Sequence, residues 1–289
     1  MGPMIAASDP AIPRVLSIAG TDPTGGAGIQ ADLKSIAANH GFGMAVVTSL
    51  VAQNTLGVRA IHTPPPGFLY EQLHAVSDDV TIDSVKIGML GNSATVDIVE
   101  SWLSEVKPPI VVLDPVMIAS SGQRLLGQDA EAAVIRLLNQ VHLVTPNLPE
   151  LGALLQEPPA ADWINAVAQA HRLSETHSVI VLVKGGHLSC PKSPDALVDT
   201  AGRLSGGLTL FELNGARVNS MNTHGTGCSL SSAIATRQAQ LSDWIAALTV
   251  AKAWLQDSIQ HADQLEVGSG RGPIHHFHQL WETAPEGSR

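Results

Sequence analysis

The chain has 289 residues, of which 44% are hydrophobic, 15% charged and 3% aromatic, with 26 glycines, 18 prolines and two cysteines. That composition excludes a disordered chain, which has fewer apolar residues and more charge, and a disulfide-stapled secreted module, which has more cysteine in less length. Sixteen Lys and Arg against 26 Asp and Glu leave a formal charge of -10, with no Lys/Arg cluster to serve as the basic patch that nucleic acid or an anionic membrane requires.

Length alone suggests about two domains, but α/β folds of about 250 residues or more form around one sheet. A single domain is therefore expected over residues 14–282, after a disordered leader at residues 1–13, which are rich in Pro and Ala. The first basic residue is Arg14, so the charged start of a signal peptide is missing. Residues 41–58 are uncharged but hold Thr48, Ser49, Gln53 and Asn54, too polar for the roughly 18 apolar residues of a membrane span. Cys190 and Cys228 are unpatterned and suit a reducing, cytoplasmic setting.

Two periodicities alternate along the chain. Residues 15–19, 45–47, 84–87, 110–113, 142–144 and 179–183 are short β-branched runs bounded by Gly, Pro or Asp, and predict strands buried on both faces. Helical stripes intervene: Ile29, Leu33, Ile36 and Ala37; Val96, Val99 and Leu103; Ala130, Val134, Leu137 and Leu138. Strand, helix, strand at this spacing predicts βαβ units in a mostly parallel sheet with helices on both faces. Residues 195–199 and 207–211 predict a small antiparallel meander at one edge. Two helices close the pattern, at about 226–240 and 243–260.

In such a sheet, ligands bind beyond the carboxyl ends of the strands. Those ends read Gly20-Thr21-Asp22, Gln53-Asn54, Gly88-Met89-Leu90, Asp114-Pro115-Val116-Met117, Thr145-Pro146-Asn147 with Glu150, and Lys184-Gly185-Gly186-His187. One shared pocket would account for so many glycines, prolines and lone polar residues. The turn after Gly20 is not a nucleotide P-loop, because Gly26 and Ala27 stand where Lys and Ser/Thr are needed. Nor is it a dinucleotide fingerprint, since the acidic residue expected about 20 positions on is replaced by Thr48, Ser49 and Gln53. Gly28, inside the first helical turn, implies a ligand or another backbone close by.

Residues 222–228 (NTHGTGC) run straight into a helix. Small residues there leave backbone N–H groups uncovered at a helix N-terminus, so a phosphate is expected on Gly225, Thr226 and Gly227. The same field predicts an acidified Cys228 thiol, against the alternative of a small buried core cysteine.

These residues carry a resemblance. Residues 19–34 (AGTDPTGGAGIQADLK), 51–58 (VAQNTLGV), 86–91 (KIGMLG), 113–117 (LDPVM), 145–150 (TPNLPE), 183–188 (VKGGHL), 222–228 and 266–278 (EVGSGRGPIHHFH) are similar to the bacterial hydroxymethylpyrimidine/phosphomethylpyrimidine kinases of thiamin biosynthesis, within the ribokinase-like superfamily. Cys228 stands where the sugar kinases of that superfamily carry Asp. The resemblance implies a three-layer α/β/α kinase, active as a homodimer, that uses ATP and Mg²⁺ to phosphorylate 4-amino-5-hydroxymethyl-2-methylpyrimidine to its monophosphate and then its diphosphate. Cys228 would be the general base, and Gly225, Thr226 and Gly227 the anion hole. Lys184 would reach the nucleotide phosphates, with Asn147 and Thr223 also on the nucleotide. Asp114 and Glu150 would hold Mg²⁺ partly through water; Glu150 could instead serve the N-terminus of its helix. Pyrimidine recognition maps onto Gln53, Asp32, Gly20, Met89 and Val116, the Gln53 amide supplying the donor and acceptor that an aminopyrimidine edge needs. A loop-capping role is the alternative for Gln53.

Two competing readings share these residues: a pyridoxal kinase, whose substrate also carries a hydroxymethyl group on an aromatic ring, and a non-catalytic pyrimidine sensor. His275, His276 and His278 lack Cys or carboxylate neighbours at ligand spacing, so no metal is expected there. With so few aromatic residues, adenine is expected between aliphatic and backbone surfaces.

Overall fold

The computed structural model describes residues 12–117, 128–187 and 192–281. Most of the expected leader, Cys190 and Leu188 therefore lie outside the described residues. The chain runs β1 (Arg14–Ala19), α1 (Gly28–Ala38), β2 (Phe42–Val47), β3 (Leu50–Asn54), β4 (Gly57–His62), α2 (Pro66–Ser77), β5 (Ser84–Ile87), α3 (Ser93–Val106), β6 (Val111–Leu113) and α4 (Gln128–Leu137). It continues with β7 (Leu143–Val144), α5 (Leu148–Leu155), α6 (Trp163–His177), β8 (Ile180–Lys184), β9 (Lys192–Val198), β10 (Leu210–Ala216), α7 (Thr226–Leu241), α8 (Trp244–Gln260) and α9 (His278–Trp281).

The main sheet has the order β10-β9-β8-β7-β6-β5-β1-β2. Strands β2, β1, β5, β6, β7 and β8 are parallel, while β9 and β10 add antiparallel at one edge, as the change of pattern after Lys184 predicts. The inner strands are buried on both faces because a helical layer covers each. Leu16 and Ile18 of β1 point into one core with α2 to α6, whereas Val15 points into the other with α1, α7 and α8. This period-2 division makes the three-layer α/β/α architecture. From β1 the chain first turns to β2 on one side and later reaches β5 on the other, so the order reverses between β1 and β5. A crevice opens at the carboxyl ends of such a switch point.

One expectation needs correction. Gln53 and Asn54 do not end a strand of the main sheet; β2 stops at Val47, and Gln53 belongs to a separate two-stranded antiparallel hairpin, β3–β4. Thr48, fully buried, closes the β2 end by donating its hydroxyl to the Met89 carbonyl at 2.6 Å. The hairpin therefore reaches the crevice from outside the sheet, with a register shift between Ala52 and Gln53.

Candidate functional site

A cavity of about 1140 Å³ occupies the crevice. Gly20 enters it after β1, Met89 after β5, and Asp114 and Val116 after β6; Asn147 and Glu150 enter from the start of α5, and Lys184 from the end of β8. Gln53 lines it from the hairpin, and Thr223, Gly225, Thr226, Gly227 and Cys228 from the start of α7. Asp32 is the one expected site residue that the structure keeps out of the cavity wall.

Among the described residues, the N-termini of α1, behind Ala27, and of α7, behind Gly225, meet the cavity without a side-chain cap. Their first-turn N–H groups lack partners inside the helix and attract anions. The glycines make this approach possible. Gly225 has φ +78, and a Cβ there would fall 1.8 Å from the Gly26 carbonyl oxygen. Gly28 has φ +56, and its Cβ would fall 2.3 Å from the Gly20 carbonyl oxygen, so the neighbour predicted from sequence is backbone. A Cβ at Gly227 would lie 3.3 Å from Asp114 Oδ2 and 3.5 Å from Lys184 Nζ, which places the charged residues directly against the α7 N-terminus.

Lys184 donates to Asp114 Oδ1 at 3.2 Å, and Thr145 Oγ1 donates to the same oxygen at 3.1 Å. Burial opposes the Lys184 charge, but Asp114 and Glu150 hold its pKa above the ordinary lysine value. Glu150 forms a capping box with Asn147: each side chain accepts from the other's backbone N–H at 2.9 Å. Burial, with Asp114 adding to it, pushes the Glu150 carboxyl up to about 7, while Lys184 pulls the other way.

Among the described residues, no group of three or more His, Cys, Asp or Glu could hold a metal. A hard divalent cation that keeps several waters still fits here, because it needs only one or two carboxylates. Asp114 Oδ2 makes no hydrogen bond among the described residues, and the crowding that raises Glu150 is the kind a cation relieves.

Cys228 lies in the first turn of α7 beside the Gly28 N–H. Its thiol departs from the sequence expectation. Burial pushes it up to about 11, assisted by Asp32 and Asp114; Lys86 and the Gly28 N–H oppose this without reversing it. The resting group is a thiol, not a thiolate, because the desolvation penalty on the anion exceeds the local fields that favour it.

Gln53, which lines the cavity from the hairpin, makes no side-chain hydrogen bond to protein among the described residues, unlike the neighbouring Asn54, which caps its own turn by accepting from Leu56 N–H at 3.0 Å. Met89 is nearly buried, and its sulfur lies 3.4 Å from where a Gly20 Cβ would be, so the two define one apolar corner. Asp32 is fully sealed. Both its oxygens are taken by Lys86 Nζ, at 2.7 and 2.9 Å, with Ser17 Oγ at 2.6 Å and Ser232 Oγ at 2.8 Å completing the set. With its acceptor positions filled in this way, Asp32 braces the floor of the site.

Sequence reasoning missed two further contributors. His224 lines the cavity and binds Asp22 at 2.8 Å across the chain. At the hairpin tip, Thr55 sits on the glycine-rich segment 268–271: Gly270 N–H donates to its Oγ1 at 3.2 Å and Arg271 N–H to its carbonyl at 3.1 Å. A Cβ on Gly270 would come within 2.1 Å of that carbonyl oxygen, which is the signal the glycines carried.

The geometry can be set beside known proteins. The first curated relatives include a thiamine biosynthesis multifunctional protein of Corynebacterium glutamicum, 54% identical over 94% of this chain, which spans only 35% of that protein's length. The hydroxymethylpyrimidine/phosphomethylpyrimidine kinase of Salmonella typhimurium is 47% identical over 93% of this chain and 98% of its own. Among solved structures, an ADP complex of Bacillus subtilis pyridoxal kinase superposes with a TM-score of 0.82 at 26% identity, covering 92% of this chain and 98% of that one. The phosphomethylpyrimidine kinase of Clostridium difficile superposes at 0.71 with 32% identity, covering 86% and 99%. The described family of phosphomethylpyrimidine kinases matches residues 22–275, a span that includes the glycine turn after β1, the hairpin, Lys184 and the start of α7. The chain belongs to the phosphomethylpyrimidine kinase family.

Proposed function

We propose that this protein uses ATP to phosphorylate 4-amino-5-hydroxymethyl-2-methylpyrimidine to its monophosphate and then to its diphosphate, as a step of thiamin diphosphate biosynthesis. The observation that carries this reading is the convergence on one cavity of Gln53, whose carboxamide is unengaged among the described residues, and the uncapped α7 N-terminus beside Lys184, Asp114 and Cys228.

Phosphoryl transfer depends mainly on alignment and on neutralising the charge of the transferred oxygens. The N–H groups of residues 225–227 hold the γ-phosphate, Lys184 offsets its charge, and Asn147 and Thr223 line the nucleotide side. Asp114 and Glu150 would hold Mg²⁺ partly through water, and the ion would offset further phosphate charge there. Gln53 pairs with the aminopyrimidine edge, while Met89, Val116 and the Gly20 backbone wall its ring. Cys228 takes the hydroxymethyl proton in its thiolate form, a minor species at neutral pH. A loose transition state leaves much of that proton loss until late.

A cytoplasmic homodimer is part of the same proposal; Phe42, Leu50, Phe68 and Tyr70 on β2, β3 and α2 are exposed apolar side chains that a second copy would cover. Light scattering of the purified chain tests the dimer. Pyridoxal is proposed as a secondary substrate, a reading favoured by the close superposition on a pyridoxal kinase.

Incubation with ATP, Mg²⁺ and the pyrimidine alcohol, followed by mass spectrometry, should show the monophosphate first and the diphosphate after it. A strong preference for pyridoxal would overturn the substrate assignment. Tight pyrimidine binding without turnover would make the protein a sensor.

A further inference from the structure

Asp22 and His224 stand 202 positions apart and neither has a place in the chemistry above. Asp22 is fully buried, and both its oxygens are occupied. Oδ1 accepts from the Thr24 N–H at 2.9 Å and the Thr24 hydroxyl at 2.7 Å. Oδ2 accepts from the N–H groups of Gly26 at 3.1 Å and Ala27 at 2.8 Å, and from His224 Nε2 at 2.8 Å. Four of these partners belong to Asp22's own turn; the fifth comes from the loop that leads into α7.

His224 is held from both ends. Its backbone N–H donates to the Gly272 carbonyl at 3.0 Å, and its ring is fixed by Asp22. Gly26 leaves room for that ring, since a Cβ there would lie 2.6 Å from His224 Cδ2. Gly225, the next residue, presses on the Gly26 carbonyl. The ring therefore joins the turn that carries Gly20 and Gly28 to the turn whose N–H groups face the cavity at residues 225–227. Burial works against the Asp22 charge, yet the hydrogen bonds from His224 and Thr24 keep its carboxyl well below the usual carboxylate range. The acceptor stays ionised through the neutral range, and His224 must be the donor.

We infer that Asp22 and His224 form a positioning clamp that sets the phosphate-binding turn in register with the acceptor loop. The inference rests on the kinase reading and adds a positioning role that Cys228 and Lys184 do not fill. Neither residue touches the reacting atoms; the clamp acts through the backbone of residues 225–228. Loosening it costs alignment of phosphoryl donor and acceptor, where a displacement of about 1 Å lowers the rate roughly a hundredfold.

The test compares His224→Gln with His224→Asn in the full chain. The Gln amide nitrogen reaches about as far as Nε2 and can still donate to Asp22, whereas the Asn amide falls short. The Asn variant is expected to lose about tenfold or more in kcat and to bind AMP-PCP several-fold more weakly, with KM for the pyrimidine within about twofold of wild type. The Gln variant should behave as wild type in all three. Wild-type rates in the Asn variant, a parallel rise in pyrimidine KM, or a Gln variant as impaired as Asn would each overturn the clamp. An Asn variant that does not fold would also overturn it, by making the link purely structural. If the wild-type protein phosphorylates no pyrimidine, the activity reading fails on its own, and the AMP-PCP affinities of the two variants still decide the clamp.

Discussion

Lys86 Nζ lies 2.7 Å from Asp32 Oδ1 in a pair that is wholly sealed from solvent. Ser232, which donates to Asp32, lies one helical turn beyond Cys228 on α7, so the pair sits beneath the floor of the cavity. Burial disfavours the Lys86 charge, but Asp32, Cys228 and Asp114 together hold its pKa above the ordinary value. Removing one member leaves the other as an unpaired buried charge, which costs about 3–5 kcal/mol. Asp32→Asn and Lys86→Met are each expected to lose stability of that order in urea unfolding, while pyrimidine KM stays unchanged in whatever folds. A KM increase at full stability would return Asp32 to the substrate.

With Cys228 as the proposed base, its raised thiol should make the first phosphorylation pH-dependent. Its acceptor is a neutral hydroxyl whose proton must leave, and only the thiolate can take it. With the thiol pushed up to about 11, the thiolate fraction grows as pH rises, so the first step should accelerate steadily between about pH 7 and 10. The second step, whose nucleophile is an already anionic phosphate oxygen, should lack that slope. Cys228→Ser should slow the first step about a hundredfold or more and flatten its profile, with far less effect on the second. Single-turnover assays started from the alcohol and from the monophosphate separate the two; equal losses would rule out a base role for Cys228.

Much of this site is legible in sequence because its backbone parts are local. Gly225, Thr226 and Gly227 are read as an anion-binding turn from seven consecutive residues, and the structure leaves that turn uncapped. The buried strands are equally local, since cover on both faces leaves continuous β-branched runs such as Val111–Leu113. The hairpin carries no such signal: of Leu50–Asn54 and Gly57–His62, only Val51 is buried, so no apolar alternation marks it. Helix α6 buries Ala166, Ala170 and Leu173 at helical spacing, but alanine gives little hydrophobic contrast. The Asp22–His224 and Asp32–Lys86 links span 202 and 54 positions, and nothing in a local pattern encodes such a pairing. The Cys228 expectation failed for a related reason: the helix N-terminus is visible in sequence, whereas the burial that outweighs it is not.

Glu150 combines a helix-capping contact with a candidate metal contact, and two substitutions separate them. Glu150→Gln keeps an oxygen to accept from the Asn147 N–H but removes the charge. It should leave unfolding free energy unchanged or slightly higher, because a strongly desolvated carboxylate is no longer buried, and should raise the Mg²⁺ concentration needed for half-maximal activity. Glu150→Ala removes the reciprocal half of the capping box as well, with an additional cost of about 0.5–2 kcal/mol. An unchanged Mg²⁺ requirement in the Gln variant would restrict Glu150 to capping.

Gln53 should determine affinity for the pyrimidine without affecting the nucleotide. Its carboxamide faces the cavity with no protein partner among the described residues, so a ligand that matches its donor and acceptor gains both bonds without breaking existing ones. Its position depends on the hairpin, whose tip is docked at Thr55 against Gly270 and Arg271, and not on the main sheet. Gln53→Ala should therefore raise pyrimidine KM about tenfold or more, corresponding to two hydrogen bonds of about 1 kcal/mol each, with KM for ATP unchanged. Gln53→Glu retains shape and acceptors but loses the donor and adds a charge that the bound ring would desolvate, so it should bind more weakly than the Ala variant. Steady-state kinetics with each substrate varied in turn checks both, and a change in ATP KM of similar size would place Gln53 in the hairpin's closure instead of in ring recognition.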